Sequence, residues 1–217
     1  MKSKMKSIYI FTGLGADERV FYKINFGTYN VTHVKWIPPL QNETIEAYAW
    51  RLTQQITSQN PILLGLSFGG MMAVEVAKHI ETEKIILVSS SKNKKEIPFY
   101  YRLAGKVKLH KIIRARFLVK ANKITNKIFS VRSSKDKKII SSMIGASDIK
   151  FLNWAIDKIV NLKNETIHKN LIHIHGTADR ILPFRFIKAD IQINGGTHLM
   201  IMNRAAEVQE KILEALS

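Results

Sequence analysis

The chain reads as an α/β protein: a mostly parallel central sheet of about six strands, helices on both faces, and one inserted helical segment. Three observations predict this. Short apolar runs alternate with helical patterns over most of the length. One run, Pro61-Ile62-Leu63-Leu64, feeds directly into Gly65-Leu66-Ser67-Phe68-Gly69-Gly70 and then a helical pattern. The alternation lapses in only one place, roughly 92–164.

Each element has its own signal. Strands are expected near 8–12, 31–37, 61–66, 84–89, 171–176 and 190–194, where β-branched and aliphatic residues cluster between turn residues. Pro38-Pro39 closes the second strand. Helices are expected near 45–59, 68–80 and 203–216. The last has Asn203 as its N-cap and buries a stripe through Val208, Ile212 and Leu216. The chain divides into a core of 1–91 and 165–217 and a basic helical cap of 92–164 inserted between core strands. Within the insertion, Leu103, Val107, Ile113, Phe117, Ala121, Ile124 and Ile128 recur at helical spacing, and a second pattern runs from Ile149 to Ile159.

The strand–Gly65-x-Ser67-x-Gly69–helix order puts a serine on a sharp turn with its hydroxyl above the sheet. A serine hydroxyl is a poor nucleophile at neutral pH and needs a base, which in turn needs an orienting acid. On such an elbow the order along the chain is Ser, acid, His. Asp179 follows the strand Leu171–Gly176, and His198 follows the short strand 190–194, so both lie just past strand C-terminal ends. Taken singly, Asp179 fits a turn cap and His198 an ordinary loop histidine; their order after Ser67 gives them meaning. Asp148, Asp157 and Asp190 are placed worse, two in helical patterns and one at a strand start.

Oxyanion donors are the fourth requirement. The first strand runs into Thr12-Gly13-Leu14-Gly15-Ala16-Asp17, which can turn the Leu14 N–H toward the serine. The second donor is the Phe68 N–H, at a helix N-terminus. The rival reading of Gly13-x-Gly15 as a dinucleotide fingerprint fails at its third glycine position, which is Glu18. His173 and His175 share a strand face, but no carboxylate or thiolate cluster accompanies them, so no metal site is expected.

These residues resemble the α/β-hydrolase superfamily, specifically a small capped serine hydrolase of the esterase and acyl-hydrolase kind. The resemblance rests on Thr12 to Gly15, Gly65 to Gly70, His175 to Asp179 and Gly195 to His198, and covers everything but the insertion. It implies an α/β-hydrolase fold, with Ser67 as nucleophile, His198 as base, Asp179 as its acid and no cofactor. It departs from the family twice: many relatives have His-Gly where this chain has Thr12-Gly13, and the family's first two strands are missing. The implied activity is cleavage of a carboxylic ester or thioester through an acyl-enzyme. A non-catalytic small-ligand receptor on the same fold is the alternative, as is an acyl hydrolase directed to an acyl carrier or anionic lipid. Dehalogenases and epoxide hydrolases of the fold use an aspartate at the elbow, so Ser67 argues against both. Tyr100, Phe117 and Trp154 are candidates to wall an apolar substrate pocket.

Composition narrows the partners. With 217 residues the chain suits one domain with an embedded subdomain, and with no cysteine it has no disulfide framework or thiol nucleophile. Residues 92–138 carry sixteen Lys or Arg against two acids, Glu96 and Asp136, so most of the +17 formal charge sits there. Such a run reads as a solvated face, or as a surface for an acidic carrier protein, an anionic substrate or anionic lipid. Nucleic acid is disfavoured, because aromatics are not interleaved with the charges. No apolar segment reaches membrane-spanning length, and Ile8–Phe11 is too short for a signal h-region. A soluble cytoplasmic protein is the expectation.

Overall fold

The computed structural model describes residues 5–109 and 133–217. Its strands β1 (Ser7–Phe11), β2 (Asn30–His33), β3 (Ile62–Leu66), β4 (Lys84–Val88), β5 (Leu171–Gly176) and β6 (Ile191–Ile193) form one sheet. The spatial order is β2-β1-β3-β4-β5-β6, and every pairing is parallel. The described helices are α1 (Ile45–Leu52), α2 (Phe68–Val76), α3 (Phe99–Lys106), α4 (Ser134–Gly145), α5 (Ile149–Val160), α6 (Met200–Asn203) and α7 (Ala205–Leu216).

Successive strand residues point to opposite faces, so each inner strand must be apolar twice over. Ile8 and Ile10 of β1, Ile62 and Leu64 of β3, and Ile86 and Val88 of β4 enter one core, closed by Val208, Ile212 and Leu216 of α7. Tyr9, Phe11, Leu63, Ile85 and Leu87 enter the other, closed by α1, α2 and Phe151 and Ala155 of α5. The edge strands β2 and β6 are short and only partly buried, as strands paired on one side can be.

The sheet changes winding direction between β1 and β3. From β1 the chain goes outward to β2 and then crosses back to β3 on the other side of β1. Loops leaving β1 and β3 therefore diverge, and the crevice between them is where open α/β sheets bind ligands. Phe11 and Gly65 are paired at its floor.

Several bounds differ from the sequence expectation, each for a tertiary reason. β2 ends at His33 rather than 37, because its ladder with β1 runs out at the Val34 N–H to Ile10 carbonyl bond. The chain then peels off and carries Trp36 to the Thr12 hydroxyl. α1 gives way to a 3₁₀ turn at Thr53–Gln55, where the Gln55 amide bonds the backbone of Lys35 in both directions. α2 tightens after Val76 into i→i+3 bonds from Lys78 and His79. Asn203 is not the cap of the last helix: Arg204, at φ −132°, separates α6 from α7.

Between β4 and β5 the described elements are three helices and one 3₁₀ turn, Lys94–Glu96. The ends of this stretch meet, since the Asn164 amide donates to the Lys92 carbonyl at 2.9 Å and the Lys94 N–H to the Asn164 carbonyl at 2.8 Å. Part of the basic run, from Lys111 to Arg132, lies outside the described residues. Lys92 is not a surface charge: its side chain is 9% exposed and its ammonium pairs with Asp190. Among the described residues, no helix is long and apolar enough to cross a membrane.

Candidate active site

Ser67 follows β3 directly and precedes α2. Its backbone sits at φ 54°, ψ −122°, a conformation that side chains rarely adopt. Neighbours hold it there: the Ser67 N–H donates to the Val88 carbonyl at 3.0 Å, and the Ser90 hydroxyl donates to the Ser67 carbonyl at 2.6 Å. The flanking glycines are required by space. A Cβ on Gly65 would enter the backbone of Gly70, and one on Gly69 the carbonyls of Phe11 and Thr12. Strain of this kind persists only when its surroundings over-determine it, and it clusters at functional sites.

Asp179 and His198 converge on Ser67 from the ends of β5 and β6. His198 Nδ1 lies 2.7 Å from Asp179 Oδ2, and its Nε2 lies 2.8 Å from Ser67 Oγ. A carboxylate can only accept, so Nδ1–H donates to Asp179. The neutral ring then leaves a lone pair on Nε2 for the Ser67 hydroxyl. Asp179 and His198 are each 4% exposed. The loop after β5 also aims two N–H groups, Ile181 at 2.8 Å and Leu182 at 2.9 Å, at Asp179 Oδ1. Burial pushes the Asp179 carboxyl up, but electrostatic attraction to His198 and the hydrogen bond from it, helped by His175 and the Leu182 N–H, outweigh it. Its pKa lies below the ordinary aspartate value.

The Thr12–Asp17 loop covers the other side. The position of a Gly13 Cβ is 3.5 Å from Ser67 Cβ, so the loop backbone runs past the serine. The loop is pinned by the Thr12 hydroxyl to the Ala16 carbonyl and by the Ala16 N–H to the Gly13 carbonyl. Leu14 lies in this loop, packed against the core. Phe68 opens α2, so its N–H belongs to the first turn, where no intrahelical carbonyl is available.

A cavity of about 270 Å³ adjoins this loop. Gly15, Ala16, Trp36, Ile37, Met143 and Phe151 are among its lining. Trp36 ties it to the serine's helix, with its ring 5.5 Å from that of Phe68 and 5.2 Å from that of Phe151. Two of the expected pocket residues make other contacts. Tyr100 on α3 joins an aromatic group with Phe99, Tyr101 and Phe186. Trp154 on α5 packs 4.4 Å from the Tyr48 ring and donates its Nε1–H to the Glu43 carbonyl. Neither lines the cavity; Phe117 lies outside the described residues. Trp36 lines the cavity, and its only signal in the sequence is its place just after a strand neighbouring the glycine loop. A larger open groove of about 570 Å³ lies at the opposite, N-terminal ends of the strands, between Asn60, Glu83 and Asn170. Ser67, Asp179 and His198 are in the lining of neither this groove nor the smaller cavity.

No protein-family model matches the chain, and no curated protein matches its sequence. Solved structures match its fold. A hydrolase from Pseudomonas aeruginosa PA01 superposes with a TM-score of 0.74 at 14% identity, over 98% of this chain and 90% of that one. An esterase from Exiguobacterium antarcticum gives 0.67 at 15% identity, over 98% and 92%. A bromoperoxidase from Bacillus anthracis gives 0.69 at 16% identity, over 98% and 92%.

Proposed function

From the premise that this chain has the α/β-hydrolase fold, we propose that it is a serine hydrolase cleaving a carboxylic ester or thioester through an acyl-enzyme. The observation that carries this reading is the hydrogen-bonded chain Ser67–His198–Asp179 ending on a positive-φ elbow at the N-terminus of α2. Neighbours named hydrolase and esterase support the reaction class, and the bromoperoxidase neighbour marks how far chemistry varies on this fold.

In the proposed mechanism Ser67 Oγ attacks the carbonyl carbon as His198 Nε2 takes its proton. Asp179, held ionised by its own donors, keeps the ring in the Nδ1–H tautomer and stabilises the imidazolium that forms. The Leu14 and Phe68 N–H groups receive the oxyanion, each contributing about 3 to 4 kcal/mol at the transition state. His198 then gives its proton to the leaving alcohol or thiol, and later activates the water that releases the acid. We place the apolar end of the substrate in the cavity beside Gly15, Trp36 and Phe151. The helices between β4 and β5 act as the cap over it. The basic run fits an acidic carrier or anionic surface by charge alone, and it is a minor part of the proposal.

The test is hydrolysis of p-nitrophenyl acetate and of an acetyl thioester by wild type and by Ser67→Ala. The expected loss of kcat is about 10⁴- to 10⁶-fold. A folded Ser67→Ala retaining a tenth of wild-type activity contradicts the assignment.

A further inference from the structure

Two imidazoles that the mechanism above does not use sit wholly inside the protein. His173 and His175 occupy alternate positions of β5, on the face that in β3 and β4 is filled by Leu63, Ile85 and Leu87. Both are 0% exposed. A polar ring at a core position costs stability unless its nitrogens are paired, so their partners indicate what they are for.

His175 Nε2 faces two acceptors, the Leu182 carbonyl at 2.9 Å and Asp179 Oδ2 at 3.3 Å. Neither can donate, so Nε2 carries the proton. Burial, with His198 adding to it, pushes the His175 pKa down despite the nearby Asp179 charge, so the ring is neutral and its Nδ1 is a lone pair. His173 Nε2 lies 3.2 Å from that Nδ1 and must donate to it. Burial also pushes His173 well below its ordinary value, with His175 and Lys92 adding to it. The far nitrogen of His173, Nδ1, has no hydrogen-bond partner among the described residues, and the Glu96 carboxylate lies 3.9 Å from it. Its strand neighbour Asp190 takes the His173 backbone N–H at 2.8 Å and the Lys92 ammonium at 3.2 Å. Glu96 in turn accepts from the N–H groups of Lys92 and Lys188. The tautomers are thus set in sequence, from Asp179 inward.

We propose that His175, braced by His173, is the positioning residue of Asp179. Its Nε2–H donates to the Leu182 carbonyl with the Asp179 carboxylate 3.3 Å away, and so holds the loop that aims Oδ2 at His198. The role rests on the hydrolase reading. It explains a feature of the loop that the serine mechanism leaves open. Asp179 Oδ1 is held by two N–H groups of the loop itself. The near end of the loop is tied by the Asp179 N–H to the Gly176 carbonyl and by the Ala178 N–H to the Gly196 carbonyl, and its far end by the Tyr101 hydroxyl at Ile181 and by His175 at Leu182. Without the His175 bond the Leu182 end can shift, and Asp179, bonded to it through Oδ1, loses aim.

The test compares His175→Leu, which lacks the donor, with His175→Gln, whose amide N–H can reach the same acceptors and whose oxygen can accept from His173. The readouts are the fluorophosphonate labelling rate and the kcat and KM for p-nitrophenyl acetate. Leu is expected to lower labelling and kcat by about tenfold to a hundredfold, with KM within about threefold, and Gln to recover most of the loss. Adding His173→Leu to His175→Leu is expected to cost no further activity, because one acts through the other. Nitrogen NMR of the wild type needs no variant to fold, and is expected to find both rings as neutral Nε2–H tautomers. Equal rates in wild type and folded His175→Leu would overturn the positioning role alone. A His175 lacking a proton on Nε2 would overturn it as well. A wild type that neither labels nor hydrolyses the ester would overturn the hydrolase reading and this role with it.

Discussion

The strain at Ser67 can be measured without knowing the substrate. Ser67→Ala and Ser67→Gly both remove the hydroxyl and its bond to His198, so the difference between them isolates the backbone. At φ 54°, ψ −122° a residue with a Cβ carries about 1–3 kcal/mol of strain, and glycine carries almost none. Against this, glycine loses about 0.4–1 kcal/mol more conformational freedom on folding than alanine. Little packing is at stake, since Ser67 is only partly buried and its Cβ lies beside Gly13. The net expectation is that Ser67→Gly is about 1–2 kcal/mol more stable than Ser67→Ala. For a domain of this size that corresponds to a Tm gap of about 2–4 °C. Differential scanning calorimetry on the two purified variants reads it directly. An alanine variant that melts with or above the glycine variant would refute the claim that the elbow is strained, and with it the idea that the surrounding bonds hold Ser67 in place.

Other outcomes follow from the same geometry. Gly69→Ala drives a methyl group into the Phe11 and Thr12 carbonyls, and urea unfolding should give a loss of about 3 kcal/mol or more. Asp179→Asn should lower kcat by about 10³- to 10⁴-fold while the protein stays folded. Because the Asp179 pKa is depressed on folding, its stabilising effect is complete above the ordinary aspartate value and is lost as pH falls through the lower folded value. The stability advantage of wild type over Asp179→Asn should therefore shrink below about pH 4; an advantage that grows on acidification contradicts the shift. Glu75 has the opposite sign. It is wholly buried in α2, burial raises its pKa against the pull of Lys78, and its Oε1 has no hydrogen-bond partner. Ionising it costs stability above the ordinary glutamate value, so Glu75→Gln should be more stable than wild type at pH 7, by about 1 kcal/mol, and should lose that advantage near pH 4.

Features written into consecutive residues were legible in the sequence. The elbow is local: a strand, two glycines that a side chain would block, and a helix leave few other structures for Gly65 to Gly70. Asp179 and His198 were legible because each closes a strand, and parallel strands bring their exits to one rim. β1, β3 and β4 followed from runs that are apolar on both faces. What the sequence hid depends on distant segments meeting. The cavity wall draws on 15–17, 36–38 and 143–151, which no periodicity links, and Trp154 instead packs on the rings of Tyr48 and Phe68. β2 stops early because its ladder partner, β1, turns into the glycine loop. The shared face of His173 and His175 was legible from their spacing. Their link to Asp179 was not, because it depends on how the chain folds back between Gly176 and Leu182.

The central claim is that Ser67 is an activated nucleophile. Intact-mass analysis after exposure to a fluorophosphonate, on wild type and on Ser67→Ala, tests it most directly. The account predicts a single adduct on wild type, located at Ser67 by peptide mapping and missing from the variant. Folded wild type that forms no adduct, or a Ser67→Ala variant that still forms one, would contradict it.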